Sequence, residues 1–350
     1  MTNLKQIPTD VAEFKYEINH KTDTITILKF VGMSMDVIIP DQIEGRPIRT
    51  IFIEAFAESK VRSVRIPEGV VELNRYAFYK CTELTSVHLP ESMEVIGARA
   101  FAWCRNLQQI NLPHRIQEIY EGAFEGCQQM AITELPQALV LLDESAFREC
   151  YALAEIMIPD GVEEIMAEAF RDCIHLRKVT IPARTRLIEF SVFEGCSELA
   201  EIDIANPAID IEPGAFRGTR LLTAPNQCLG ARQVDDWTIL CDTIVIDHLR
   251  QGHTMIVPDG ITSLNGCLCG TESITETVML PESLLVIGTR AFVGCRNLKH
   301  LVLPPHLQKI GEMAFDECEK LHIITMTDDQ VETFKYDFSE TAWYKERFGK

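Results

Sequence analysis

No segment of this 350-residue chain approaches the roughly 18 consecutive apolar residues that a membrane-spanning helix requires, so no membrane insertion by that route is expected. The first thirty residues hold no apolar run of the kind at the centre of a signal peptide, and no small-residue cleavage site follows. The expected location is cytoplasmic, with secretion or cell-surface display as the alternative if a leader has been removed. Basic residues are scarce: 33 Lys and Arg stand against 52 Asp and Glu, a formal charge of -19. That balance works against binding nucleic acid or anionic lipid, where Lys and Arg neutralising phosphates supply most of the affinity. Catalytic signatures are missing too. The nine His are scattered, and there is no His-Glu-x-x-His, no Gly-x-Ser-x-Gly and no phosphate-binding glycine loop. The chain is therefore expected not to be an enzyme and to need no cofactor.

What the chain has in abundance is repetition. Residues 97–113 read GARAFAWCRNLQQINLP and residues 288–304 read GTRAFVGCRNLKHLVLP, identical at ten of seventeen positions. Ala-Phe recurs with its ring at Phe56, Phe78, Phe101, Phe124, Phe147, Phe170, Phe216, Phe292 and Phe315, and Val192-Phe193 fills the skipped place, at steps of 23 from Phe78 to Phe216. Ile-Pro or Leu-Pro recurs in phase from Pro67 to Pro182 and again at Pro281 and Pro304. Cys81, Cys104, Cys127, Cys150, Cys173, Cys196, Cys295 and Cys318 each follow the repeat's Phe by three residues.

One unit, Pro67 to Pro90, reads PEGVVELNRYAFYKCTELTSVHLP. Ala77, Phe78, Cys81 and Leu84 have the spacing of one side of a short helix or 3-10 turn. Leu84-x-x-Val87-x-Leu89 then alternates as a strand with one buried face. Pro90 cannot donate to a ladder, so it ends the strand, and Val70 and Leu73 supply a second inward pair. A unit with one apolar edge cannot cover it alone, and stacking identical units does so, the logic of a solenoid. The pattern predicts one solenoid over 1–350. Its parts are a longer first unit (1–66), regular repeats (67–227), a hairpin-like insertion (228–257) with runs around 237–246 and 253–257, further repeats (258–326) and a C-terminal cap (327–350).

The phrase IPDGVEEIMAEAFRDCIHLRKVTIP at 158–182 resembles the BspA-like leucine-rich repeats, and residues 14–58 look like that family's longer first unit, which starts with a strand pair. The resemblance implies an α/β leucine-rich-repeat architecture, a right-handed curved solenoid with a parallel sheet and short helical turns. It also implies a protein-protein or surface recognition role, and many members of the family are secreted or surface-anchored.

The eight repeated cysteines read as a buried ladder of small apolar residues. If they lie on helices packed about 8 to 10 Å apart, neighbours are beyond disulfide reach and the thiols stay unpaired. Cys267 and Cys269, with Cys241, His248 and His253, are the one group reminiscent of a zinc site. Their spacing matches no common zinc pattern, and Leu268-Cys269 falls where other units have Ala-Phe, so no metal is expected.

Solvent-facing strand positions are where the repeat leaves chemistry free. The candidates for a partner-binding face are Arg62, Arg65, His88, Gln109, Asn111, Ile132, Glu134, Glu155, Met157, Arg177 and Lys178. Arg62 with Arg65 and Arg177 with Lys178 flank a more neutral strip, which fits an acidic or mixed protein or peptide partner. Gln109, Ile132, Glu155 and Lys178 are expected in one row across adjacent strands, with register least secure near Thr133. The insertion at 234–257 competes with this row as the binding element. The expected function is a non-catalytic interaction scaffold, its oligomeric state left open with a monomer compatible, and a secreted or cell-surface recognition protein is the alternative.

Overall fold

The computed structural model describes residues 7–248, 252–268 and 273–349. The chain is a parallel β-solenoid of about 13 turns with few helices. It divides into two compact units, Met1–Val179 with Val192–Leu199, and Thr180–Ser191 with Ala200–Lys350.

The first unit opens with antiparallel strands Phe14–Asn19 and Thr24–Phe30. Thr24–Phe30 then pairs in parallel with Arg46–Ile51, which starts the stack. Each later coil has three sides. One carries the alternating strand, so that Asp36–Ile38, Ser63–Arg65, Ser86–His88 and Gln109–Ile110 form a parallel sheet. A second side carries a two-residue strand, and Glu72–Leu73, Val95–Ile96, Glu118–Ile119 and Leu141–Leu142 pair in register. This sheet escaped the sequence reading, because two residues are too short to show alternation.

The third side, holding Ala-Phe, carries a run of hydrogen-bonded turns at the place expected to be a short helix or a 3-10 turn. Within one coil, Ala77, Tyr79 and Cys81 N–H donate to the Asn74, Tyr76 and Phe78 carbonyls at 3.2, 3.0 and 3.2 Å. Between these bonds, Tyr76, Phe78 and Lys80 N–H donate to the Ala98, Ala100 and Ala102 carbonyls of the next coil at 3.0, 2.7 and 2.8 Å. The alternation is possible because Tyr76 and Lys80 are left-handed, with φ of 61° and 55°. Arg99 and Trp103, Ser145 and Glu149, and Glu168 and Asp172 repeat it. A helix accepts no such residues, so the spacing of Ala, Phe and Cys marks a run of turns.

Glu58 occupies one of these left-handed positions at φ 58° and is exposed. Replacing it with Ile should lower stability by about 1 to 2 kcal/mol, since a β-branched side chain tolerates that conformation least. Asn at the same place should hold or raise the thermal midpoint. Equal midpoints for the two variants would mean that the turn relaxes freely.

The rings of Phe78, Phe101, Phe124, Phe147 and Phe170 stack with successive centroids 5.2, 5.4, 5.2 and 5.6 Å apart and are fully buried. Beside them, the thiols of Cys104, Cys127, Cys150, Cys173 and Cys196 donate to the Phe carbonyl of the preceding coil at 3.0 to 3.2 Å.

Because the coils here are joined by ladder bonds, they are spaced like strands, about 4.8 Å, and not like packed helices. Helix spacing therefore does not keep neighbouring cysteines apart, contrary to expectation. Cys81, Cys104, Cys127, Cys150, Cys173, Cys196 and Cys318 do carry free thiols, whereas Cys295 is disulfide-bonded. Burial pushes the Cys104, Cys127, Cys150, Cys173 and Cys196 thiols up and Cys318 to about 12, so none presents a thiolate near neutrality. Under native, nonreducing conditions iodoacetamide should label the exposed Cys267 and leave these thiols untouched. In denaturant all of them should label, and Cys295 should label only after reduction. Peptide mass spectrometry checks this, and ladder thiols that require reduction would overturn it.

In the second unit the insertion differs from the expected protruding hairpin. Ala231–Val234, Trp237–Leu240 and Ile244–His248 form an antiparallel meander. Its last strand pairs in parallel with Ser263–Leu264, which is followed by Val286–Ile287 and Lys309–Ile310. Trp237, Ile239, Leu240, Ile244 and Val245 are buried, so the meander belongs to the core. The run at 253–257 is no hairpin arm, since Thr254–Ile256 begins a parallel sheet with Thr277–Met279, His300–Val302 and Ile323–Thr325. Alternation identified the strands but carried no information about their partners. At the C-terminal end, Thr327 caps the helix Asp328–Phe334 through a capping box. Phe338 stacks on Phe315 at 4.6 Å, closing the column.

Candidate recognition face

Val37, Val64 and Val87 point into the core of the first unit and are buried, which sends their strand neighbours outward. Asp36, Ser63, Ser86 and Gln109 line up in one row, and Ile38, Arg65 and His88 in a second. Together they line a groove of about 740 Å³. Arg62 flanks it and is committed internally. Its guanidinium grips the Asp36 carboxylate, and the Ser63 hydroxyl donates to the same carboxylate at 2.7 Å. The Arg62 contact, helped by Ser63, holds the Asp36 carboxyl below its ordinary range. Asn111 is committed too. Its amide bridges the Leu89 N–H and carbonyl, both at 2.8 Å, replacing ladder bonds where the strand ends at Ile110. Arg65, His88 and Gln109 have no side-chain partner among the described residues.

Farther along the unit, Glu155, Arg177 and Lys178 are exposed. The Arg177 N–H donates to the Ala154 carbonyl at 2.8 Å, which places the two strands side by side. Met157 is exposed as well and pairs through an isolated bridge with Glu134. The coil between Gln109 and Glu155 departs from the expected row. Residues 131–133 form no strand, Thr133 is exposed and Ile132 is half-buried. Thr133 stands where other coils place an anchoring Val or Ile, so nothing apolar holds that segment against the core.

A second face lies beyond the residues that the sequence singled out. In the other unit, Ile256 pairs with Met279, and Val302 follows on the next strand. The three are 63%, 55% and 60% exposed. A parallel row runs Thr254, Thr277, His300 and Ile323. It is edged by Glu276, which Lys299 holds at 2.9 Å. That contact, with a smaller influence from the nearby imidazoles of His253 and His300, keeps the Glu276 carboxyl below its ordinary range. Applying the x-position rule to residues 254–325 finds this face.

Of the imagined zinc ligands, Cys269 and the side chain of His248 lie outside the described residues. Among the described residues no group of three or more His, Cys, Asp or Glu is arranged to hold a metal ion. No helix among them is long and apolar enough to cross a membrane.

Stacked coils, two parallel sheets and outward-facing strand rows define a leucine-rich-repeat solenoid, a repeat scaffold for protein interaction or recognition, and such proteins are generally non-enzymatic. The pattern of the BspA type leucine rich repeat region matches in six copies over residues 49–165, 132–229 and 256–346, and the chain belongs to that family. A leucine-rich repeat protein from Bacteroides ovatus is similar at 21% identity, covering 95% of this chain and 98% of its own, with a TM-score of 0.58. A leucine rich cell surface protein from Faecalibacterium prausnitzii is similar at 19% identity over 93% of this chain and 97% of its own, with a TM-score of 0.54. The T. pallidum leucine rich repeat protein is 31% identical over 61% of this chain and 89% of its own, with a TM-score of 0.49. None of the curated proteins matches the chain.

Proposed function

We propose that the protein is a non-catalytic scaffold that recognises another protein through the exposed faces of its parallel sheets. The observation that carries this reading is the row Ile256, Met279 and Val302, large apolar side chains held in water on three successive strands. They contribute nothing to the core. Covering them with a partner is favourable by about 25 cal/mol per Å² of apolar surface, and contiguous exposed apolar rows mark interaction sites. The meander at 231–248 is a weaker competitor, because its central strand Trp237–Leu240 is buried along its whole length. A photo-cross-linking residue at Met279 should capture one discrete protein from an extract of the source cells, and Met279→Asp should abolish its co-purification. The same probe at Arg105, on the turn side, should capture nothing. Identical capture at both positions, or undiminished co-purification of Met279→Asp, overturns the assignment.

The Cys295 disulfide favours a second reading, recognition at the cell surface or outside the cell, where oxidising conditions preserve such bonds. Rapid alkylation of cells before lysis, followed by mapping of Cys295, tests it: a bond already present in the living cell supports that location, and a reduced Cys295 rejects it.

A further inference from the structure

We infer that the groove over Asp36–Ile38, Ser63–Arg65, Ser86–His88 and Gln109–Ile110 binds an extended, acidic peptide segment by taking one of its carboxylates on Arg65. The inference rests on the sheet-face reading above and adds the site and the chemistry of its occupant. The groove's own carboxylate, Asp36, is already occupied by Arg62 and Ser63, so it neither neutralises Arg65 nor repels an incoming anion strongly. Arg65 has no ion pair among the described residues, in a chain where acidic residues outnumber basic ones by 52 to 33. Arg46, Arg99, Arg148, Arg171 and Arg296 all hold carboxylates. A guanidinium left open beside a polar groove is suited to a bidentate carboxylate contact.

The neighbouring groups extend that preference. His88 stands next to Arg65 in register, and Ser86 and Gln109 share the adjoining row, so hydrogen-bonding groups recur about every 4.8 Å across the strands. They supply contacts for the main chain and small polar side chains of a segment crossing the sheet. No Phe, Tyr or Trp lines the groove, so it lacks the broad stacking platform with which proteins hold bases. Its volume of about 740 Å³ lies within the range of ligand-sized clefts, about 300 to 1,000 Å³.

The test uses the full chain and fluorescein-labelled peptides of alternating Thr and Glu, or Thr and Gln, read by anisotropy at low salt, with free glutarate as competitor. The acidic peptide should bind, and the Gln peptide should bind about tenfold more weakly, the loss of one charge-assisted contact. Arg65→Gln should lose about the same factor, Arg65→Lys less because it keeps the charge without the fork, and Arg105→Gln nothing. Glutarate should displace the peptide only in large excess, since it lacks the main-chain contacts. Equal affinity for both peptides, or an unchanged affinity in Arg65→Gln, overturns the inference. So does displacement by equimolar glutarate, which would make the groove a small-anion site. Cross-linking at Met279 is independent of all these outcomes, so the broader recognition reading stands or falls separately.

Discussion

Phe124→Ala should lower the unfolding free energy by about 3 to 5 kcal/mol, measured by urea unfolding. The upper part of that range is expected because the cavity cannot collapse. Rings above and below stack on Phe124 at 5.4 and 5.2 Å. Its backbone is pinned as well, the N–H donating to the Ala146 carbonyl at 2.8 Å and the carbonyl accepting from the Cys150 thiol at 3.2 Å. In a stacked array each coil is stabilised by its neighbours, so one truncation weakens two interfaces at once. Phe124→Leu should cost less, because much of the volume remains. A fall in the urea slope along with the midpoint would show the array uncoupling at this coil. A loss below about 1 kcal/mol, the level of many surface substitutions, would mean that the column is not the spine of the unit.

The column was legible in the sequence because one large residue recurs every 23 positions and every copy faces the same neighbours. The chain path around it was less so. Ala77, Phe78 and Cys81 have helical spacing, yet Tyr76 and Lys80 adopt left-handed conformations that nothing in their side chains announces, since the equivalent places hold residues as unlike as Trp103, Gly122, Ser145 and Glu168. The requirement comes from the neighbouring coil, whose Ala98, Ala100 and Ala102 carbonyls need those N–H groups. For the site, alternation around Val64 and Val87 showed which side chains point outward. It did not show which are already spent, as Arg62 is on Asp36 and Asn111 on Leu89. Asp36 lies in the irregular first unit, where no repeat exposes its register with Ser63.

Lys309→Met should destabilise the second unit by about 3 kcal/mol, the low end of the cost of breaking a buried ion pair, because it strands Asp210. That carboxylate is 1% exposed and meets the Lys309 ammonium at 2.8 Å, while the lysine is 46% exposed. It also accepts from the Thr289 N–H at 3.0 Å and the Thr289 hydroxyl at 3.1 Å. Room for it exists because residue 288 is Gly, where a Cβ would stand 2.8 Å from Asp210 Oδ1. Next to it, Asn265 accepts from the Ile211 N–H at 2.9 Å, and the Ser263 hydroxyl donates to the Ile209 carbonyl at 2.6 Å. The segment 209–211 is thus tied to coils more than 50 residues later by side chains, where elsewhere in the solenoid backbone ladders join adjacent coils. A charged group enclosed without its counterion costs far more than a neutral one. Asp210→Asn in the Lys309→Met background should therefore recover part of the loss, a coupling that a double-mutant cycle measures. Additive losses from the two substitutions would show that Asp210 is solvated by other means and that Lys309 is an ordinary surface lysine.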